Sequence, residues 1–427
     1  MNTAVIFGML IVLMAIGMPV GVALGLTVLT FMFAFTTVPV ESVALKMFTG
    51  IEKFEIMAIP FFILAGNFLT SGGVARRMIN FATAMVGHIT GGLGMSAVLA
   101  CALFAAVSGS SPATVVAIGS ILIPAMIKQG FSLRFAAGTV ASAGGLGILI
   151  PPSIVMVMYA VTTNASIGAL FMAGVVPGIL LALMLGLATW WQARKHGFPR
   201  QPKESWAARW RCFREAVWGL LLIVVVMGGI YSGIFTATEA AAMSAVYAFV
   251  VAMFVYRDLG WKQVPKVLLD SANMASMLLF IIASAVLFSF ILTSEQIPQR
   301  MAEAIVASGL GPVGFLVVVN ILLLLAGNIM EPSSIILILA PILFPVAVAL
   351  GIDPIHFGVI VTVNMEIGMI TPPVGLNLFV ASGITRAGMT EMTMAVLPWL
   401  YTMLVFLVLI TYVPQISLAL PRALGMM

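Results

Sequence analysis

The chain has 427 residues, of which 62% are apolar and only 8% charged, and its mean hydropathy is +1.20. That composition cannot cover a water-soluble domain with polar surface, so it points to a polytopic membrane protein. A spanning β-barrel needs alternating polar and apolar residues, and runs such as LLLIVVVM and LVVVNILLLLAG exclude it, leaving an all-α protein.

In chain order, the first 25 residues lack a basic n-region and a small-residue cleavage site, and read as a retained span. Pro19 divides residues 4–36 into two short spans, one long kinked helix being the alternative. A third span lies near 56–72, a broken one near 135–163 and a fifth near 166–192. Seven of the 19 Lys and Arg then fall in residues 193–216, a basic linker that the positive-inside rule puts in the cytoplasm, beside anionic headgroups rather than nucleic acid. Further spans are expected near 217–234, 238–256, 271–293, 356–384 and 393–414, with a tail at 416–427. Cys101 and Cys212, and the scattered His88, His196 and His356, form neither a disulfide framework nor a metal-ligand pattern.

The linker sits near the midpoint, and the two sides of it are related. An offset of 221 residues lays 124–177 on 345–398 without a gap, and Pro124, Pro151, Pro152 and Pro177 fall on Pro345, Pro372, Pro373 and Pro398. Six of the nine identical pairs are Pro or Gly, so what is preserved is backbone geometry. The loop after the first segment carries Lys128 and Arg134, whereas its counterpart carries only Asp353, so the two copies are expected to be inverted in the membrane, residues 1–192 against 217–415. Five crossings per half satisfy this, with both termini periplasmic.

Residues 92–127 and 312–348 remain outside that count. Each has two apolar arms of about 15 residues, about 22 Å at 1.5 Å per residue and short of a hydrocarbon core of roughly 30 Å. The arms are joined by SGSSPAT and GNIMEPSS, which makes each segment a re-entrant hairpin, one from each side, with tips meeting inside the protein. Ser108, Ser110, Ser111 and Thr114 supply hydroxyl oxygens suited to a hard cation such as sodium, although serines also pack helices closely. Downstream, GGLGILIPPS and MEIGMITPPVGLN each put a Pro-Pro pair inside a spanning helix, freeing carbonyls near Gly145, Gly147 and Ile150, and near Glu366, Gly368 and Ile370. Glu331 and Glu366 are the two acids inside strongly apolar stretches, and both fall at breaks of the second copy, facing Ser110 and Gly145 in the first. For Glu331, a helix cap and an ion ligand are both consistent with its place before PSSIILILA.

The segments SGSSPATVVAIGSILIPAM, GGLGILIPPSIVMVMYA, NIMEPSSIILILAPILFP and GMITPPVGLNLFV, with AIPFFILAGNFLTSGG upstream, resemble the large membrane subunit of tripartite ATP-independent periplasmic (TRAP) transporters over essentially the whole chain. The resemblance implies a multi-pass permease of the bacterial inner membrane, not an enzyme. It would be a sodium-driven importer in which a transport domain bearing both hairpins moves like an elevator against a scaffold. It further implies no cofactor beyond the coupling ions, and two protein partners. These are a small four-helix membrane subunit, expected as a separate chain, and a periplasmic substrate-binding protein. With the breaks, it places one sodium site at Ser108, Ser110, Ser111, Gly145, Gly147 and Pro151, and another at Asn328, Glu331, Ser333, Gly368 and Thr371. Substrate, an organic acid such as a C4-dicarboxylate, is expected near Thr114, Ser153, Pro373 and Asn377, with no buried arginine to name it. A stand-alone sodium–dicarboxylate or citrate carrier shares these features without the binding protein. A membrane-embedded enzyme would need a catalytic set that the three histidines do not supply.

Overall fold

The computed structural model describes residues 2–36, 39, 41–307, 309 and 311–427, and over them the chain is helical without a β-strand. Helices α1 (Asn2–Ala15) and α2 (Val20–Phe35) are separate and pack on each other, so residues 4–36 are not one kinked helix. Next come α3 (Glu41–Ile51), α4 (Ala58–Ser71), α5 (Val74–Val86), α6 (Gly92–Ser108) and α7 (Ser111–Lys128). The broken segment is α8 (Leu133–Ala143), the single turn α9 (Leu146–Leu149) and α10 (Ile154–Thr163), followed by the long α11 (Ile167–His196). In the second half, α12 (Trp206–Ile223) continues through a π turn into α13 (Gly229–Tyr231), and α14 (Ala237–Val250) and α15 (Val264–Ser294) follow. The remainder is α16 (Ile297–Ala307), α17 (Pro312–Gly327), α18 (Pro332–Ala349), α19 (Pro354–Gly368), α20 (Leu376–Thr385), α21 (Met389–Tyr412) and α22 (Gln415–Ala423).

Helix starts are fixed locally. Ser132, Ser166 and Ser205 accept from the backbone N–H groups of Phe135, Ala169 and Ala208, Thr236 and Glu239 form a capping box, and Asp353 accepts from Ile355 and His356. Among the described residues, nine helical segments are long and apolar enough to cross a membrane. Large apolar side chains such as Leu183 and Val405, each 62% exposed, cover their outward faces, as a lipid-facing surface requires. Inside, short polar links join helices: Trp399 Nε1 donates to Thr189 Oγ1 (2.8 Å), Asn67 Nδ2 to Ser271 Oγ (2.8 Å) and Asn364 Nδ2 to Asn320 Oδ1 (2.8 Å).

Contacts between the halves are reciprocal. Helix α7 packs on α20 and α18 on α10, and α8 packs on α21 and α19 on α11; in each pair the 221-residue offset turns one contact into the other. A two-fold relation between the copies would produce this pattern, since whatever i does to j, the equivalent of j does to the equivalent of i. Both Pro-Pro bonds, Pro151–Pro152 and Pro372–Pro373, are cis.

Several expectations need revision. The basic linker is largely helix, its non-helical part being residues 197–205, because the Ser205 cap starts α12 within the run of basic residues. The tail contains α22, docked on α11 through the buried Leu418, and Ser417 Oγ lies 2.7 Å from Nδ1 of His356. The hairpin arms have 16 to 18 residues, longer than the expected 15. Helices α5 and α16 were absent from the expected order because each is amphipathic and interrupted by charge, and neither gives an apolar run.

Close backbone contacts yield a stability test. A Cβ on Gly368 would lie 2.7 Å from Gly327 Cα and 3.0 Å from its carbonyl oxygen, whereas Gly383 has open space around it. Gly368→Val is expected to destabilise by about 1–3 kcal/mol, and Gly383→Ala to be neutral or stabilising by a few tenths, as read by thermal melting in detergent.

Candidate functional site: two helix breaks closed by two hairpin tips

A proline inside a helix leaves the carbonyl four residues earlier without its donor, and at mid-membrane depth protein must replace it. At the first break the carbonyl freed by Pro152 is that of Ile148, and Ser153 Oγ donates to it at 2.6 Å while accepting from Met156 N–H. At the second, Pro372 and Pro373 free Gly368 and Met369. The Thr371 hydroxyl lies 3.1 Å from Gly368 O, and the Asn377 N–H donates to Met369 O at 3.0 Å. Ser153, Thr371 and Asn377 therefore act first as replacements for missing helix donors.

Each tip closes on its own break. Helix α6 ends at Gly109 in the left-handed region (φ 61°), where a Cβ would stand 2.9 Å from Pro152 O, and Ile154 N–H donates to Gly109 O at 3.5 Å. A Cβ on Gly147 would lie 2.6 Å from Ser110 O, so only glycine allows the first tip this close. On the other side Gly327 rests on Gly368, and Val374 N–H donates to Asn328 O at 2.9 Å.

The first tip gathers oxygens. Ser108 Oγ lies 2.8 Å from Thr114 Oγ1 and 3.2 Å from Ser110 O, and Thr114 Oγ1 lies 2.9 Å from the same carbonyl. Ser111 departs from this group, and its hydroxyl meets the Asn377 side chain, with Nδ2 donating at 2.7 Å across the two copies. At the second tip, Thr371 Oγ1 is surrounded by Asn328 Oδ1, Ile367 O and Gly368 O, three acceptors for one hydroxyl proton. Of the two roles open to Glu331, the structure shows the helix cap: its carboxylate accepts from Ser333 N–H (3.2 Å) and Ser334 Oγ (3.2 Å), at the start of α18. Ser110 holds the matching N-cap position of α7. Of the residues assigned to substrate, Thr114, Ser153 and Asn377 are fully buried with their polar atoms engaged, and Pro373 is exposed.

Glu366 is the sharpest electrostatic feature. It is fully buried, and neither carboxylate oxygen has a hydrogen-bond partner among the described residues. A Cβ on Gly145 would lie 2.6 Å from its Cγ and 2.7 Å from Oε1, and Gly145 is its counterpart at the 221-residue offset. Under a two-fold relation, residues so related would touch each other only near the axis. An uncompensated carboxylate at such a place requires a proton or a cation.

A family model described as "Tripartite ATP-independent periplasmic transporter, DctM component" matches residues 7–416. The chain belongs to this family. It is 67% identical to the C4-dicarboxylate TRAP transporter large permease protein DctM of Rhodobacter capsulatus, over all of both chains. It is 56% identical to the protein of the same name from Pseudomonas aeruginosa, over 95% of each. Among solved structures, the Alcanivorax borkumensis YdaH transporter superposes with a TM-score of 0.63 over 90% of this chain and 91% of that one, at 16% identity, which establishes a shared fold. A large TRAP permease is a transport component and not an enzyme.

The burial of Glu366 gives a test. Glu366→Gln keeps the shape without an uncompensated charge, so its melting temperature is expected to equal or exceed the wild type. Gly145→Val, which drives a side chain into Glu366, is expected to cost about 1–3 kcal/mol. A drop in Glu366→Gln as large as that in Gly145→Val would mean that the carboxylate has a favourable partner.

Proposed function

We propose that this chain is the large permease of a sodium-driven TRAP importer for C4-dicarboxylates in a bacterial inner membrane. End-to-end identity of 67% to a C4-dicarboxylate permease carries the choice of substrate. For ion coupling, the support is the clustering of hydroxyl and carbonyl oxygens at both tips, since hard cations such as sodium take carbonyl, hydroxyl and carboxylate oxygens. Ser108, the Ser110 carbonyl, Ser111, Gly145, Gly147 and Pro151 would make one sodium site. Asn328, Glu331, Ser333, Gly368 and Thr371 would make the other, with Glu331 moving between cap and ligand. Substrate would enter between the tips beside Pro373, and reaching Thr114, Ser153 and Asn377 requires the tips to part. The start of α7, where Ser110 makes no side-chain cap, offers backbone N–H groups to the substrate's carboxylates, whereas at α18 the Glu331 carboxylate already caps Ser333.

In this reading, hairpins α6–α7 and α17–α18 are re-entrant from opposite sides, because their tips abut breaks midway along spanning segments. They move with α8–α11 and α19–α22 as a transport domain against a scaffold that includes α2–α4 and α12–α15. A small membrane subunit and a periplasmic binding protein complete the system.

Uptake of radiolabelled succinate into proteoliposomes holding the permease, its small subunit and the binding protein checks the assignment. Uptake is expected to need sodium and the binding protein; full-rate uptake without sodium contradicts the coupling, and uptake without the binding protein favours a stand-alone carrier. For inversion, Gly130 and Gly351 are equivalent, share positive φ (88° and 75°) and have open space. In a Cys212→Ser background, Gly130→Cys is expected to be labelled from the cytoplasm and Gly351→Cys from the periplasm, and labelling from one side contradicts inversion.

A further inference from the structure

Lys53 directs its charge across the fold rather than to its neighbours in the chain. It lies between Glu52 and Glu55, yet it forms no ion pair among the described residues. Its Nζ instead donates to Asn164 Oδ1 at 2.6 Å and to Val161 O at 3.3 Å, more than 100 residues away. Helix α10 ends there: Asn164 is its C-cap, in the left-handed region (φ 55°), and Val161 O is one of the last four carbonyls, to which a helix supplies no donors of its own. An ammonium group suits that end twice over, as a donor to such a carbonyl and as a positive charge at the negative pole of the helix.

The segment that carries Lys53 is held from the other side. Residues Phe54–Met57 form a single 3-10 turn between α3 and α4, Ile56 in it is buried, and Thr238 Oγ1, in the first turn of α14, donates to Phe54 O at 3.2 Å. Helix α10 packs on this turn and on α4. The contact is not closed at its end: a cavity of about 110 Å³ remains, lined by Lys53, Glu55, Ala160, Val161, Asn164 and Ile167. Two hydrogen bonds from one ammonium group, and not dense apolar packing, therefore join the two sides at this point.

The second half has no such tie. At the 221-residue offset, residues 41–71 fall on 262–292, where α15 runs unbroken from Val264 to Ser294 with no turn like that at Phe54–Met57 and no Lys or Arg beyond Lys266. Helix α20, the counterpart of α10, also ends at a left-handed residue, Arg386 (φ 57°), but α15 offers no cation to cap it. Two related halves alone would favour neither of two opposite positions; a bond made on one side only favours the position in which it forms.

We propose that Lys53 is a one-sided latch, which fastens the end of α10 to the connection between α3 and α4 in the position seen here and has to release before α10 can move along α4. This rests on the reading of α8–α11 as part of a transport domain and of α2–α4 and α12–α15 as part of a scaffold. On that reading the latch lies on the periplasmic side, opposite Lys128 and Arg134, and it biases the permease toward one end of its travel.

Electron–electron double resonance between spin labels on Gly233→Cys and Gly351→Cys, in a Cys212→Ser background in nanodiscs with the small membrane subunit, tests it. Gly233 lies between α13 and α14, Gly351 lies between α18 and α19, and both have open space. Two spacings are expected, the one seen here and that of the displaced domain. Lys53→Met, which keeps the aliphatic stem, and Asn164→Gly, which keeps the left-handed cap, are each expected to lower the ratio of the first to the second by about three- to fivefold, the scale of a partly exposed charged contact. The double variant should go little beyond Lys53→Met, since both remove one interaction. Variants that lower the melting temperature but leave the proportions unchanged would overturn the latch alone. A single spacing in wild type and variants alike would overturn the moving-domain reading as well.

Discussion

A helix interrupted inside a bilayer leaves backbone groups that water cannot reach, and the centre of this protein is organised around satisfying them. Each Pro-Pro pair opens a spanning helix, and each opening is closed in two ways. A nearby hydroxyl or amide replaces the missing donor, as Ser153 does for Ile148 and Thr371 for Gly368. A hairpin tip then covers the gap at backbone distance, which glycine alone permits at Gly147 against Ser110 and at Gly327 against Gly368.

The same constraint explains why the breaks are chemically rich. Carbonyls and hydroxyls concentrated at a tip are costly in hydrocarbon unless paired, and around Thr371 they are paired: its hydroxyl lies among Asn328 Oδ1, Ile367 O and Gly368 O, and the two carbonyls also accept from Ile370 and Thr371 N–H. In the proposed function a cation would take up these oxygens in place of the hydrogen bonds they now make. The two copies reach this condition differently: Ser110 and Gly145 in the first stand where Glu331 and Glu366 stand in the second. The acid at the tip caps a helix, while Glu366, without a hydrogen-bond partner among the described residues, lies against Gly145, its counterpart at the 221-residue offset.

Much of this was legible in the sequence because Pro and Gly record backbone geometry directly. The helix breaks at Pro151–Pro152 and Pro372–Pro373 and the interruptions at SGSSPAT and NIMEPSS rest on such residues, while the all-α membrane class rests on long apolar runs that do not alternate. Side-chain roles were less legible. Nothing in SGSSPAT distinguishes Ser108, turned into the tip, from Ser111, bonded across to Asn377 some 266 residues away. Amphipathic helices α5 and α16 escaped an apolar-run search, and Arg209, grouped with solvated linker charges, proved buried because α12 begins at Trp206 and turns that position toward α5. Burial of this kind depends on which helix faces which, and pattern alone does not contain it.

Equilibrium binding of radioactive sodium to the purified permease tests most directly whether the closed breaks are ion sites. Ser108→Ala removes an oxygen from the first tip and Asn328→Ala one from the second, with neither touching the other site. Each is expected to weaken binding at one site by about tenfold, the scale of one lost polar ligand, and the double variant to weaken both. Unchanged sodium binding in the double variant, with the protein folded, would show that the tips only close the helix breaks.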